Sequence, residues 1–275
     1  MLIDEAKLTA QVRRLMPRWL GEDLAEFEYL PAGYSNDNHK FRYRREHFVL
    51  RLPIGARDPA RWRHERSFYQ SPGDIVIPEI VAFDVASGSM ISRWIQGPLM
   101  VDAPPAYDRL VSFLKGLHQN LARTRHSYDP IARSLQNLAT EGPAQPSSRV
   151  ARLVSASKWP RARVSACHND FNPWNVICAP NGWVTLDWES YGNNDPLFDL
   201  VTMHQGLDLE DDVLPGLCDE LLDEVAASDR IERVLIGFWV REYAWAFAES
   251  QRGNDRAELG EQMRRAEEKL SAIDS

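Results

Sequence analysis

The apolar pattern of this chain changes once, at Gln96-Gly97-Pro98, and that change limits what it can fold into. Before the break, short strand-like runs rich in β-branched and aromatic residues cover 27–30, 39–43, 48–52, 80–84 and 90–94. The second and third are joined by polar Arg44-Arg45-Glu46, a hairpin connection. Two helices are expected among them. One spans 4–20, with Leu8, Val12, Leu15 and Leu20 at helical spacing; the other opens at Asp58-Pro59 and runs to 70. After the break, 108–120 is helical by pattern, 141–148 is a loop by composition, and helices follow almost throughout from Pro196. The expected fold class is α+β. An N-terminal antiparallel-sheet lobe over 1–97 would be followed by a mostly helical C-terminal lobe over 98–275.

Bulk properties exclude several functions. The net charge of −8 argues against a nucleic-acid surface, which needs a basic stripe, and is compatible with a cationic partner. Cys167, Cys178 and Cys218 form no CxxC pair and no metal spacing, which points to a reducing compartment and a cytoplasmic protein. Met1-Leu2-Ile3-Asp4-Glu5 lacks the basic and apolar regions of a signal peptide. The longest apolar run, 234–248, is interrupted by Arg241 and Glu242, and falls short of the ~20 residues of a membrane span. No membrane partner is expected.

The most informative segment runs from Cys167 to Glu189. A short strand at 164–167 would end at His168-Asn169-Asp170. Two apolar runs, 176–178 and 183–186, flank Ala179-Pro180-Asn181-Gly182, so they form a hairpin turning near Asn181. Asn175 and Asp187 stand equally far from Asn181, and antiparallel pairing brings both to the open end. Asp170 feeds into that end, and Glu189 lies close to it. An amide oxygen with carboxylates is a hard, oxygen-only donor set that suits Mg²⁺ and not zinc. A carboxylate beside such a site can orient a hydroxyl and accept its proton.

His168-x-Asp170-x-x-x-x-Asn175, followed by a strand and Asp187-x-Glu189, resembles the catalytic and metal motifs of protein kinases. The resemblance is closer to the aminoglycoside phosphotransferase and choline kinase superfamily. Leu186-Asp187-Trp188-Glu189 and Asn194-Asp195-Pro196-Leu197-Phe198-Asp199-Leu200 resemble its bacterial choline and thiamine kinase branch. It implies a two-lobed protein-kinase-like fold, with ATP and Mg²⁺ as cofactors and a small-molecule hydroxyl as acceptor. Asp170 would be the catalytic base, Asn175 and Asp187 the metal ligands, and Glu189 an auxiliary acid near metal or substrate. His168 and Asp199 read as braces of the loop. On the nucleotide side, the resemblance implies Gly33, Ser35 and Asn36 over the phosphates. Arg51 stands where protein kinases carry a lysine, as in choline-kinase-like relatives, and Glu65 is its candidate partner. Backbone groups of 92–97 would meet the adenine.

The acceptor is less defined. Trp239 and Tyr243 are spaced i,i+4, and Phe238 and Trp245 i,i+7, so aromatics occupy one broad helical face. Such rings attract a quaternary ammonium, and they also fill cores. The resemblance keeps Trp239, Tyr243 and Trp245 as pocket candidates, with Trp188 and Tyr191 after the metal motif. Choline leads, then thiamine and ethanolamine. An aminoglycoside acceptor and a non-catalytic nucleotide-binding module are the alternatives.

Overall fold

The computed structural model describes residues 4–31, 35–54, 59–160 and 164–273. In chain order its elements are α1 (Glu5–Leu15), β1 (Leu24–Leu30), β2 (Asn36–Tyr43), β3 (Glu46–Pro53), α2 (Pro59–Gln70), β4 (Ile80–Phe83), β5 (Met90–Arg93), α3 (Tyr107–Asn120), α4 (Pro130–Leu138), α5 (Ser148–Ala156), β6 (Ser165–Cys167), β7 (Val176–Ala179), β8 (Gly182–Thr185), β9 (Gly192–Asn194), α6 (Leu197–Gly206), α7 (Leu214–Leu222), α8 (Ser228–Gln251) and α9 (Ala257–Ile273). Strands dominate before Gly97 and helices after it. Asp58, expected at the start of α2, lies outside the described residues.

The elements group into two units. One holds Met1–Pro105, Asn120–Ala122 and Asn172–Ser190; the other holds Ala106–Gln119, Arg123–Phe171 and Tyr191–Ser275. The division therefore does not fall at one chain position, and the hairpin β7–β8 belongs with the N-terminal sheet.

In the first unit five antiparallel strands are ordered β1-β2-β3-β5-β4. Arg44 and Arg45 turn β2 into β3, and Arg44 takes φ 56°, the left-handed conformation that suits a two-residue hairpin. Phe41 pairs with Phe48, and Leu50 with Ile91, so strand alternation puts all four on one buried face. Phe27 and, one helical turn apart on α1, Leu8 and Val12 complete that core. Asp4 caps α1 by accepting from the Lys7 amide at 3.0 Å. The helix stops at Leu15 rather than 20, because Pro17 disfavours helical geometry at Met16. The smaller hairpin pairs Val176 with Thr185 and Ala179 with Gly182 around Pro180-Asn181.

In the second unit α8 is the central element and packs against α4, α5, α6, α7 and α9. Strands β6 and β9 pair Ser165 with Asn194 and Cys167 with Gly192, which fixes where residues 168–170 emerge. Among the described residues, no helix is long and apolar enough to cross a membrane.

Candidate active site

In the first unit, β3 presents Arg51 to α2. The Arg51 Nη1 and Nη2 donate to Glu65 Oε1 and Oε2, each at 2.7 Å, a bidentate arrangement. The Glu65 side chain is 0% exposed and that of Arg51 7%. Burial works against the Arg51 charge, but the Glu65 carboxylate outweighs it and holds the guanidinium pKa above its ordinary value. Arg51 Nη1 also lies 3.8 Å from Asp187 Oδ1. One turn before Glu65, Arg61 makes an ion pair with Glu189. One turn after it, Phe68 stacks on Trp188, with centroids 4.1 Å apart. Arg61, Glu65 and Phe68 share one face of α2, so a single helix face holds Arg51 and the residues following Asp187.

Asp187 and Asn175 stand at the open end of β7–β8. The Leu186 amide donates to the Asn175 carbonyl at 2.8 Å, so Asn175 opposes Leu186 and Asp187 lies one residue beyond. The symmetric placement about Asn181 expected from the sequence is thus off by one, because the turn is the two-residue Pro180-Asn181. Asp187 adopts φ 59°, a left-handed conformation that Asp tolerates better than most residues. The amide oxygen of Asn175 and the Asp187 carboxylate are oxygen donors fit for a hard cation such as Mg²⁺.

In the second unit, β6 delivers His168-Asn169-Asp170. Asn169 takes φ 66°. Asn tolerates this left-handed conformation, and hydrogen bonds hold it in place. Here Asp199 Oδ1 accepts from the Asn169 amide at 2.7 Å and Oδ2 from the His168 amide at 2.9 Å. His118 Nε2 lies 2.9 Å from the same Oδ2. The Asn169 Nδ2 donates to the carbonyls of Cys167 (3.2 Å) and Gly192 (3.1 Å), and its Oδ1 accepts from Asn194 at 2.7 Å. Ligand atoms of His118, Cys167 and Asp199 lie within 4.8 Å of one another. Both Asp199 oxygens accept from the loop amides, so Asp199 braces the loop backbone.

The Asp170 side chain is 25% exposed. Arg241, midway along α8, donates through Nη1 to Asp170 Oδ1 at 2.9 Å and to the Asn169 carbonyl at 3.1 Å. Its Nη2 donates to Glu242 Oε1 at 2.5 Å. Gln262 of α9 donates to Glu242 Oε2 at 2.8 Å. Burial opposes the Arg241 charge, but Glu242 and, with a smaller effect, Asp170 help keep its pKa well above the ordinary value. Burial pushes the Glu242 carboxyl up, while Arg241 pulls it down.

The other sequence candidates are placed as follows. Asn36 opens β2 and Ser35 precedes it; the Ser35 carbonyl accepts from the Ile54 amide at 2.9 Å. Gly33 lies outside the described residues. Trp188 is fully buried and donates to the Thr185 carbonyl at 3.2 Å. Tyr191, Trp239 and Tyr243 are also buried. The Tyr243 hydroxyl accepts from the Ser147 amide at 2.8 Å, and the Arg265 guanidinium lies over the Trp239 ring. Those two rings share a face of α8, while Phe238, Arg241, Glu242 and Trp245 share the adjacent one at i, i+3, i+4 and i+7. Trp245 is half-buried. Sequence reasoning did not single out Arg241 as the partner of Asp170, nor Arg61 as that of Glu189. The signal for the first was present: two charges interrupting the apolar run 234–248.

The sequence model of the phosphotransferase enzyme family matches residues 26–232. The chain belongs to this family. Protein LicA of Haemophilus influenzae is 25% identical over 213 residues, covering 69% of this chain and 62% of that relative. This chain thus spans less than two thirds of the length of that relative. Choline kinase LicA from Streptococcus pneumoniae superposes with a TM-score of 0.76 at 16% identity, covering 97% of this chain and 99% of that one. The GDP and kanamycin complex of APH(2")-IIia superposes with a TM-score of 0.70 at 15% identity, again over 97% and 99% of the two chains. At these identities the two structures speak for the fold, which is the α+β fold of the protein-kinase-like phosphotransferases.

Proposed function

We propose that this phosphotransferase moves the γ-phosphoryl group of ATP to a hydroxyl of a small cationic alcohol, with Asp170 as base. The supporting observation is a partly exposed carboxylate on a loop whose backbone is fixed by Asp199 and whose side chain is held by Arg241. Fixed placement is what a general base in phosphoryl transfer has to offer. Asp170 would take the proton of the acceptor hydroxyl. The acceptor oxygen forms the new bond to phosphorus, and the bond to the bridging oxygen breaks, releasing ADP. Asn175 and Asp187 would hold Mg²⁺, which supplies charge neutralisation at the donor phosphates. Arg51, oriented by Glu65, would add a fixed positive charge on the nucleotide side, with Ser35, Asn36 and Gly33 along the phosphates. Glu189 is bound to Arg61, so it would act through its charge near the site.

Support for a cationic acceptor comes from Glu242 and Trp245, which lie on the same α8 face as Arg241. A carboxylate and an indole ring together attract a quaternary ammonium. Choline is therefore the first acceptor, with thiamine and ethanolamine next, and the enzyme would act in the cytoplasm. The test is ADP release from Mg²⁺-ATP against choline, ethanolamine, thiamine and kanamycin. Strongest turnover with choline is expected. Turnover with kanamycin alone would move the reading to aminoglycosides. Nucleotide binding with no turnover on any acceptor would sink the catalytic reading.

A further inference from the structure

We propose that Arg241 is a positioning residue for the phosphoryl transfer, acting through Asp170 and not on the substrate; this rests on the reading of Asp170 as the base. The first ground is the bond pattern. Arg241 Nη1 meets the Asp170 carboxylate at 2.9 Å and the Asn169 carbonyl at 3.1 Å. That carbonyl belongs to the peptide that carries the Asp170 amide. One nitrogen thus ties the carboxylate back to its own backbone, which fixes the direction in which the side chain points. Asp170 and Arg241 are 71 residues apart in the chain.

The second ground is what holds Arg241. Its residue is 8% exposed, in a helix otherwise rich in apolar side chains. Its guanidinium lies 5.6 Å from the ring centroids of both Phe198 and Phe238. Nη2 is engaged by Glu242, which Gln262 secures from α9. A planar fork with two engaged ends has little freedom, so its hold on Asp170 is preorganised. Balancing a buried charge alone would need only Glu242, its neighbour on the same helix. The reach to Asp170 is additional.

The third ground is the division of the fork. Arg241 meets Asp170 through Nη1 at 2.9 Å and Glu242 through Nη2 at 2.5 Å, so each end is committed to one carboxylate and the end facing Asp170 is not shared with Glu242.

The experiment is a double-mutant cycle on the full chain, with Asp170→Asn, Arg241→Lys and both together. Arg241→Lys keeps the buried charge and loses the fork, and thermal unfolding of each variant checks that it is folded at the assay temperature. Rates are measured with Mg²⁺-ATP and choline, and as ATP hydrolysis with water as acceptor; Mg²⁺-ATP affinity is measured alongside. The expected loss in kcat for Arg241→Lys is on the order of 10–100-fold, as for a misplaced catalytic group. Acceptor KM and nucleotide affinity should change by less than about threefold. On the Asp170→Asn background the same substitution should cost less than about threefold, because the group it positions is gone. An equal loss on both backgrounds overturns the proposal, since Arg241 would then act independently of Asp170. So does wild-type kcat in Arg241→Lys, or a loss confined to KM or nucleotide affinity. Wild-type turnover in Asp170→Asn would instead overturn the base assignment itself. No turnover by the wild type with either acceptor would remove both readings.

Discussion

Replacing Glu65 by Gln isolates the buried charge behind Arg51. The substitution keeps the side-chain shape and removes the negative charge. Arg51 then retains Asp187 at 3.8 Å as its remaining carboxylate. The native pair makes two bonds of 2.7 Å with side chains 7% and 0% exposed. Removing one partner of such a pair costs about 3–5 kcal/mol, because the other charge stays buried. A Gln oxygen can still accept one bond, so the low end, about 3 kcal/mol, is expected. At about 2–4 °C per kcal/mol for a chain approaching this size, the melting temperature should fall by about 6–12 °C. Thermal unfolding with urea titration measures it, and ATP affinity should fall in parallel. The pair Arg51→Met with Glu65→Leu should recover most of the stability and none of the ATP affinity. A drop below about 2 °C in Glu65→Gln would refute the reasoning, since it would give the pair the worth of an exposed one.

Three further outcomes follow from local structure. A Cβ on Gly97 would stand 2.6 Å from the Cys178 carbonyl oxygen, so Gly97→Ala should destabilise by about 1–3 kcal/mol, read by thermal unfolding. Burial pushes the Cys218 thiol up to about 12 and the Cys167 thiol well above its usual value. Cys178 is less buried, so iodoacetamide at mildly alkaline pH should modify it first in the folded protein; equal labelling of Cys218 would contradict this. Bonds from Ser87 and Arg14 hold the Asp84 carboxyl at about 2, below its ordinary 3.8. Its folded pKa is depressed, so its stabilisation is present above 3.8 and is lost as pH falls through about 2. The stability gap between wild type and Asp84→Asn should close over that window.

What the sequence shows and what it hides follow chain distance and element length. The β2–β3 hairpin is legible because its alternation comes with a polar two-residue turn. Asp170, Asn175 and Asp187 are legible because their spacing and hairpin lie within one short segment. Arg51 and Glu65 are 14 residues apart, on a strand and the next helix, so their pairing is within reach of the family pattern. Arg241 has no such cue, since only tertiary folding brings α8 to the loop. The nine-residue helices α4 and α5 are clearly amphipathic but too short to be stable alone, and they draw their stability from packing on α8 and on each other. Strand β9, Gly192-Asn193-Asn194, has poor strand propensity and exists because β6 pairs with it.

The account stands on Asp170 as the base of an ATP-dependent phosphotransferase. The most direct measurement compares wild type and Asp170→Asn for ADP release and for phosphorylated choline by ³¹P NMR, together with Mg²⁺-ATP affinity. The account predicts phosphorylated product from the wild type. In the variant it predicts turnover lower by about 10²–10⁴-fold, the usual worth of a general base, with nucleotide affinity nearly unchanged. Equal turnover in the two proteins would contradict it.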